Sequence, residues 1–85
     1  MNSRRSQAEI LAEILRLGEA SKTEIMFSAN MSFRQLQKYL DFLVGRGFLA
    51  KRVVPNPGVK YVVTDKGAHL LTRIEAMLRL MEQGE

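Results

Sequence analysis

The sequence predicts one mainly α domain of the α+β class over residues 1–85, with element order α-α-α-β-β-α and a long C-terminal helix. Three observations carry that assignment. Apolar residues recur at helical spacing in three successive segments before residue 45, two of them opened by a serine with a glutamate or glutamine three positions later. Two short β-prone runs flank "PNPG", and a final run over residues 65–83 returns to helical spacing.

The first helix follows from "SQAEILAEILRL", residues 6–17, in which Ile10, Leu11, Ile14 and Leu15 share one face and Gly18 supplies a stop. Ser21 and Glu24 form a reciprocal capping pattern that starts a short second helix ending near Asn30. Ser32 and Gln35 repeat the pattern at once and open a third helix, 32–44, so only a tight turn around Asn30 and Met31 separates the two.

Along the third helix Phe33, Leu36, Leu40, Leu43 and Val44 cluster on one side, while Arg34, Lys38 and Asp41 lie opposite with Gln35 nearby. The segment "SFRQLQKYL" is thus expected to be buried behind and open in front. Phe42 falls outside this pattern, roughly 180° from Phe33 at 100° per residue, and needs a cover or a ligand of its own. Phe27, Phe33, Phe48 and Tyr61 are expected to pack in the core, and Tyr39 and Phe42 against the final helix of the same or a second subunit.

Gly45 and Gly47 end the third helix. "FLAKRVV" and "VKYVV" then read as strands joined through a turn with Pro57 and Gly58 at its centre, a type II arrangement. Lys51 and Arg52 are adjacent, so alternation sends one of them to the inner face. Thr64 caps the last helix, whose Leu71, Ile74, Leu78 and Met81 repeat at three, four and three, flanked by Leu70, Met77 and Leu80. That stripe is wider than one small domain needs, and an inter-chain helix pair is the expected explanation. At 85 residues a single core is near the size where a partner chain supplies missing burial.

Composition narrows the possibilities. With 46% hydrophobic and 26% charged residues the chain is expected to fold as a globular domain. It has no cysteine, which removes disulfides, thiolate metal sites and cysteine nucleophiles. No stretch approaches the ~20 apolar residues that span a bilayer, and the polar, basic start "MNSRRSQAEI" does not read as a signal peptide; the expected location is cytoplasmic. The single histidine, His69, has no partner pattern, and no phosphate-binding loop or serine–histidine arrangement occurs, so neither enzyme, cofactor nor metal site is expected. Met26, Met31, Met77 and Met81 are read as gap-filling apolar residues.

The net charge of +4 is unevenly distributed. Between Arg34 and Lys66 there are seven cations and two carboxylates, +5, whereas the remainder has six cations and seven carboxylates, −1. The excess sits in the third helix and the hairpin, which points to a positive field aimed at a polyanion.

The element order is that of the winged helix-turn-helix. "QLQKYLDFLVGRGFL", residues 35–49, resembles the end of a recognition helix and the glycine turn into the wing, and "KYVVTDKG", residues 60–67, resembles the passage from the second wing strand to the last helix, with Tyr61, Thr64 and Gly67 at matching positions. From Ser6 to Gln83 the chain resembles small archaeal winged-helix transcriptional regulators and chromatin-type proteins, which append a C-terminal helix for antiparallel coiled-coil dimerisation. The final helix here is shorter than a long coiled-coil arm.

The resemblance implies a homodimer that binds double-stranded DNA, with helix 32–44 in the major groove, the wing 49–63 on the backbone or minor groove, and Leu71, Ile74, Leu78 and Met81 in the dimer seam. Physically, Arg34 and Lys38 suit phosphates or guanine edges, Gln35 and Gln37 suit adenine, and Ser32 with the helix-start amides suits a phosphate. Arg46 at the turn and Lys51, Arg52 and Lys60 on the wing suit contacts that fix register without reading sequence. The bland alternative is a solvated cationic face on a winged-helix protein-interaction module that touches no nucleic acid.

Overall fold

The computed structural model describes residues 5–55 and 58–82. Its elements are α1 (Gln7–Arg16), β1 (Glu19–Ala20), α2 (Lys22–Ala29), α3 (Phe33–Gly45), β2 (Leu49–Val54), β3 (Gly58–Val63) and α4 (Asp65–Glu82). The expected type II turn falls partly outside the described residues, since Pro57 is not among them.

Each of the first three helices is started by a reciprocal cap. Ser6 Oγ accepts the Glu9 N–H at 3.1 Å while Glu9 Oε1 accepts the Ser6 N–H at 2.7 Å. Ser21 with Glu24 and Ser32 with Gln35 make the same exchange, at 2.8 to 3.2 Å. Such a box satisfies two of the amides that a helix start leaves without partners. Asn30 then turns the chain out of α2 in the left-handed conformation, φ 53°, which asparagine tolerates better than most residues.

The hairpin gains a third strand that the sequence does not announce. β1 pairs antiparallel with β3, Glu19 opposite Val62 and Ala20 opposite Tyr61, giving the strand order β1-β3-β2. Two residues carry no readable alternation; they become a strand because the edge of β3 is there to pair with, and the Val63 N–H extends the link to the Gly18 carbonyl at 2.8 Å.

The core draws on every layer. Ile14 and Leu15 from α1, Ile25 and Ala29 from α2, Leu36, Leu40 and Leu43 from α3, and Leu49 and Tyr61 from the sheet form one buried cluster. α1 packs against both α2 and α4, and Arg16 Nε meets Glu75 at 2.8 Å across the α1–α4 seam. Truncating any of the three sealed leucines of α3 to alanine would cost about 2–5 kcal/mol.

The start of α4 is tied to the end of α3 through two residues. Thr64 Oγ1 donates to the Gly47 carbonyl at 2.6 Å and accepts the Gly67 N–H at 3.0 Å, capping α4 while fixing the turn that leads into β2. Gly67 is buried against the Phe48 carbonyl, where a Cβ would overlap the oxygen and press on Val63. Gly67→Ala is therefore expected to lower stability by about 1–3 kcal/mol in urea melts. Gly45→Ala, which meets open space at the end of α3, is expected to be neutral or to stabilise by up to about 1 kcal/mol.

The α2 cap also carries a pH dependence. A hydrogen bond from the Ser21 backbone N–H, reinforced by the Lys60 ammonium 3.3 Å away, holds the Glu24 carboxyl below its ordinary value. Because the folded value is the lower one, this stabilisation is complete above the ordinary glutamate value and is lost as pH falls through the lowered one. Carboxyl-detected NMR should find Glu24 titrating low in the native protein and moving upward in Lys60→Met, with the α2 start retained.

Candidate nucleic-acid interface

α3 is gripped along one stripe and open along the other. Leu36, Leu40 and Leu43 are sealed, whereas Arg34, Lys38 and Asp41 are exposed on the opposite arc. Two flanking walls frame that arc. On one side a hollow of about 220 Å³ separates α3 from the sheet and is lined by Gln37, Asp41 and Gly45 facing Lys51 and Tyr61. On the other, a cavity of about 370 Å³ lies beside α1, lined by Gln7, Leu11, Gln35, Lys38, Tyr39 and Phe42.

The sheet register settles which of the adjacent wing cations points where. Lys51 lies opposite Tyr61, whose side chain is in the core, so Lys51 shares the α3-facing side of the hairpin; it stays exposed in the hollow beside α3. Arg52 lies opposite Lys60 on the other face. There both are engaged by carboxylates, Arg52 with Glu19 and Lys60 with Glu24. Among the described residues Arg34, Lys38 and Lys51 have no such ion pair.

The uncharged candidates are also partly committed. Ser32 Oγ and Gln35 Oε1 are the two halves of the α3 cap, so a Gln35 that offered its oxygen to a base would give up that cap. Gln37 is half-buried and donates from Nε2 to Asp41 Oδ1 at 2.9 Å. Arg46, at the end of α3, lies with its guanidinium 5.3 Å from the centre of the Phe42 ring.

Several aromatic side chains depart from the packing their sequence positions suggest. Phe27 and Phe33 do not enter the core: they are 78% and 57% exposed. Phe33 stands at the first position of α3, where no preceding helical turn exists to cover it, and the Lys22 ammonium lies 5.0 Å from its ring centre. Tyr39 and Phe42 line the cavity beside α1, and the Phe42 ring also meets Phe48 with centroids 6.1 Å apart. Phe48 is half-buried and Tyr61 buried, as their spacing suggests.

On α4, Ile74 is 7% exposed and Leu71 packs on the buried cluster, so both serve the chain's own core. Leu78 is half-buried, and Met81 is exposed together with Met77 and Leu80. Residues that the sequence did not single out for this surface are Lys22 and Lys66, the latter 4.9 Å from the Phe48 ring centre and hydrogen-bonded to the Arg46 carbonyl at 2.7 Å. Each is a cation at a helix start, a place where cations are ordinarily disfavoured, and Lys66 is also the last cation of the positively charged segment. Among the described residues no helix is long and apolar enough to cross a membrane.

Comparison with known proteins agrees with this architecture. The chain is 36% identical over 81 residues to an uncharacterized protein of Methanocaldococcus jannaschii, covering 92% of this chain and 78% of the relative. Among solved structures it is similar to Sso10a-2, a DNA-binding protein from Sulfolobus solfataricus, with 33% identity, a TM-score of 0.84, and coverage of 93% of this chain and 84% of that one. It is also similar to Sco5413, a MarR family transcriptional regulator from Streptomyces coelicolor, with 30% identity, a TM-score of 0.73, and coverage of 91% and 55%. A family model described as winged helix-turn-helix matches residues 4–82. With three capped helices, a hairpin wing and a closing helix in the required order, the chain belongs to the winged helix-turn-helix family.

Proposed function

We propose that this protein is a transcriptional regulator that binds double-stranded DNA as a homodimer, each subunit presenting α3 to a major groove. The observation that carries the reading is the pair Arg34 and Lys38, exposed on the side of α3 opposite its sealed leucines and without a carboxylate partner among the described residues. A helix about 10–12 Å across fits a groove about 12 Å wide, and two cations four residues apart lie on the same side of it. Lys51 supplies a third charge from the wing on the α3-facing side. The likeness to a DNA-binding protein at 33% identity supports the same reading. Arg52 and Lys60 would have to exchange Glu19 and Glu24 for phosphates, so their contribution is expected to be smaller.

The homodimer rests on α4. Leu80 and Met81 are 69% and 64% exposed, with Met77 beside them, on a helix whose Ile74 is already used inside the subunit. Pairing α4 with its counterpart would withdraw that strip from water and supply burial that so short a chain lacks. The protein acts in this reading by occupying DNA in the cytoplasm, with no catalytic step. A second reading, a winged-helix module that binds protein alone, is favoured by one observation, the exposed Phe27 on the outer side of α2.

Duplex-binding titrations across a salt series separate the two readings. DNA binding by phosphate contacts predicts a linear fall of log affinity with log salt, and Arg34→Ala with Lys38→Ala, which removes four cations from the dimer, should weaken binding and reduce the slope by about 4. Weak, salt-insensitive binding that the double substitution leaves alone would support the protein-only module. For the dimer, Leu80→Glu with Met81→Glu should give a folded monomer in sedimentation and weaken DNA binding by removing the second half-site. Ile74→Glu is a poor test of the seam, since it places a charge in the core and is expected to unfold the subunit.

A further inference from the structure

We propose that Phe33 reads bases, seating its ring against the 5-methyl groups of thymine in the major groove, so that the protein prefers duplexes with thymine beneath the start of α3. The inference rests on the DNA-binding reading and adds a chemical selectivity to it.

The position is the first support. Phe33 is the first residue of α3, and the N-terminal residues of a helix that enters the groove are those that approach base edges. More than half of the side chain is open to solvent although it is a large hydrocarbon on a small domain. At 100° per residue it stands between the buried stripe and the exposed arc, four residues before Gln37 and next to Arg34, on the flank where α3 faces the hollow beside Lys51.

The second support is what its neighbours do. Gln35 Oε1 is engaged in the cap and Gln37 Nε2 is engaged by Asp41, so neither glutamine offers a free acceptor–donor pair to adenine without breaking a bond it already has. The apolar group that the major groove presents is the thymine methyl, and the apolar side chain that this end of α3 presents is Phe33. The Lys22 ammonium, 5.0 Å from the ring centre, places a cation beside the ring where a phosphate flanking the contacted base could take it up. Phe27, though more exposed, belongs to α2 and is two residues, about 200°, from the buried Ile25, so it points away from the core side of that helix and is no part of α3.

The test uses the unaltered protein and two duplexes of the same sequence, one with thymine and one with deoxyuridine at every thymine position, which removes only the methyl groups. Fluorescence anisotropy should give tighter binding to the thymine duplex by about fourfold for each methyl covered. Phe33→Ala should lower affinity for the thymine duplex to that for the deoxyuridine duplex and leave the slope of log affinity against log salt unchanged. Phe33→Leu should keep part of the preference. Equal affinity of the unaltered protein for the two duplexes overturns the inference while leaving DNA binding intact, and so does a preference that persists in Phe33→Ala, since it would then come from duplex shape. Absence of salt-dependent binding to either duplex defeats the DNA-binding reading, and this inference with it.

Discussion

The grip on α3 by Leu36, Leu40 and Leu43 is what gives the rest of the molecule its direction. All three are sealed against α1, α2 and the sheet, so the helix can neither rotate nor slide without opening a cavity at several kcal/mol. A helix fixed in rotation has a fixed outer arc, and Arg34 and Lys38 derive their common orientation from leucines they never touch. The caps at Ser32 and the Thr64–Gly67 tie complete the constraint at the two ends of α3, one setting where it starts and the other where the chain leaves it for the wing.

Charge is sorted by the sheet as much as by the helix. One step of register sends Lys51 to the side of the hairpin that α3 occupies and Arg52 to the other, where Glu19 and Lys60 lie. The pairing of Arg52 with Glu19 and of Lys60 with Glu24 joins the wing to β1 and to the start of α2, so these cations help hold the wing against the body of the domain. Exposed pairs of this kind contribute modestly to stability, on the order of 0–1 kcal/mol each. Their larger consequence is subtraction: a carboxylate lies beside each of these two cations, while among the described residues Arg34, Lys38, Arg46, Lys51 and Lys66 of the same segment have none.

The apolar surface is divided in a similar way. α4 spends Ile74 and Leu71 inside the domain and leaves Met77, Leu80 and Met81 outside, so one edge of the helix closes the domain and the other stands in solvent. The stripe that looks uniform in sequence is thus two surfaces, one buried and one exposed. Phe33 and Phe27 make the same point on α3 and α2, since side chains with core chemistry stand in solvent where no packed layer reaches them.

What the sequence by itself determined was local. The three helices before the wing, the caps at Ser21 and Ser32, the hairpin and the closing helix all follow from interactions within a few residues, and capping patterns and apolar periods are written at that range. The sealed side of α3 was legible for the same reason. Tertiary structure alone decided the rest: that Glu19 and Ala20 become a strand against β3, that Ile74 meets the chain's own core, that Glu19 and Glu24 take up Arg52 and Lys60, and that no apolar layer covers Phe33. Each of these joins residues far apart in the chain or depends on where a packed layer stops, and no period in a sequence records the distance to a neighbour that folding has yet to bring near.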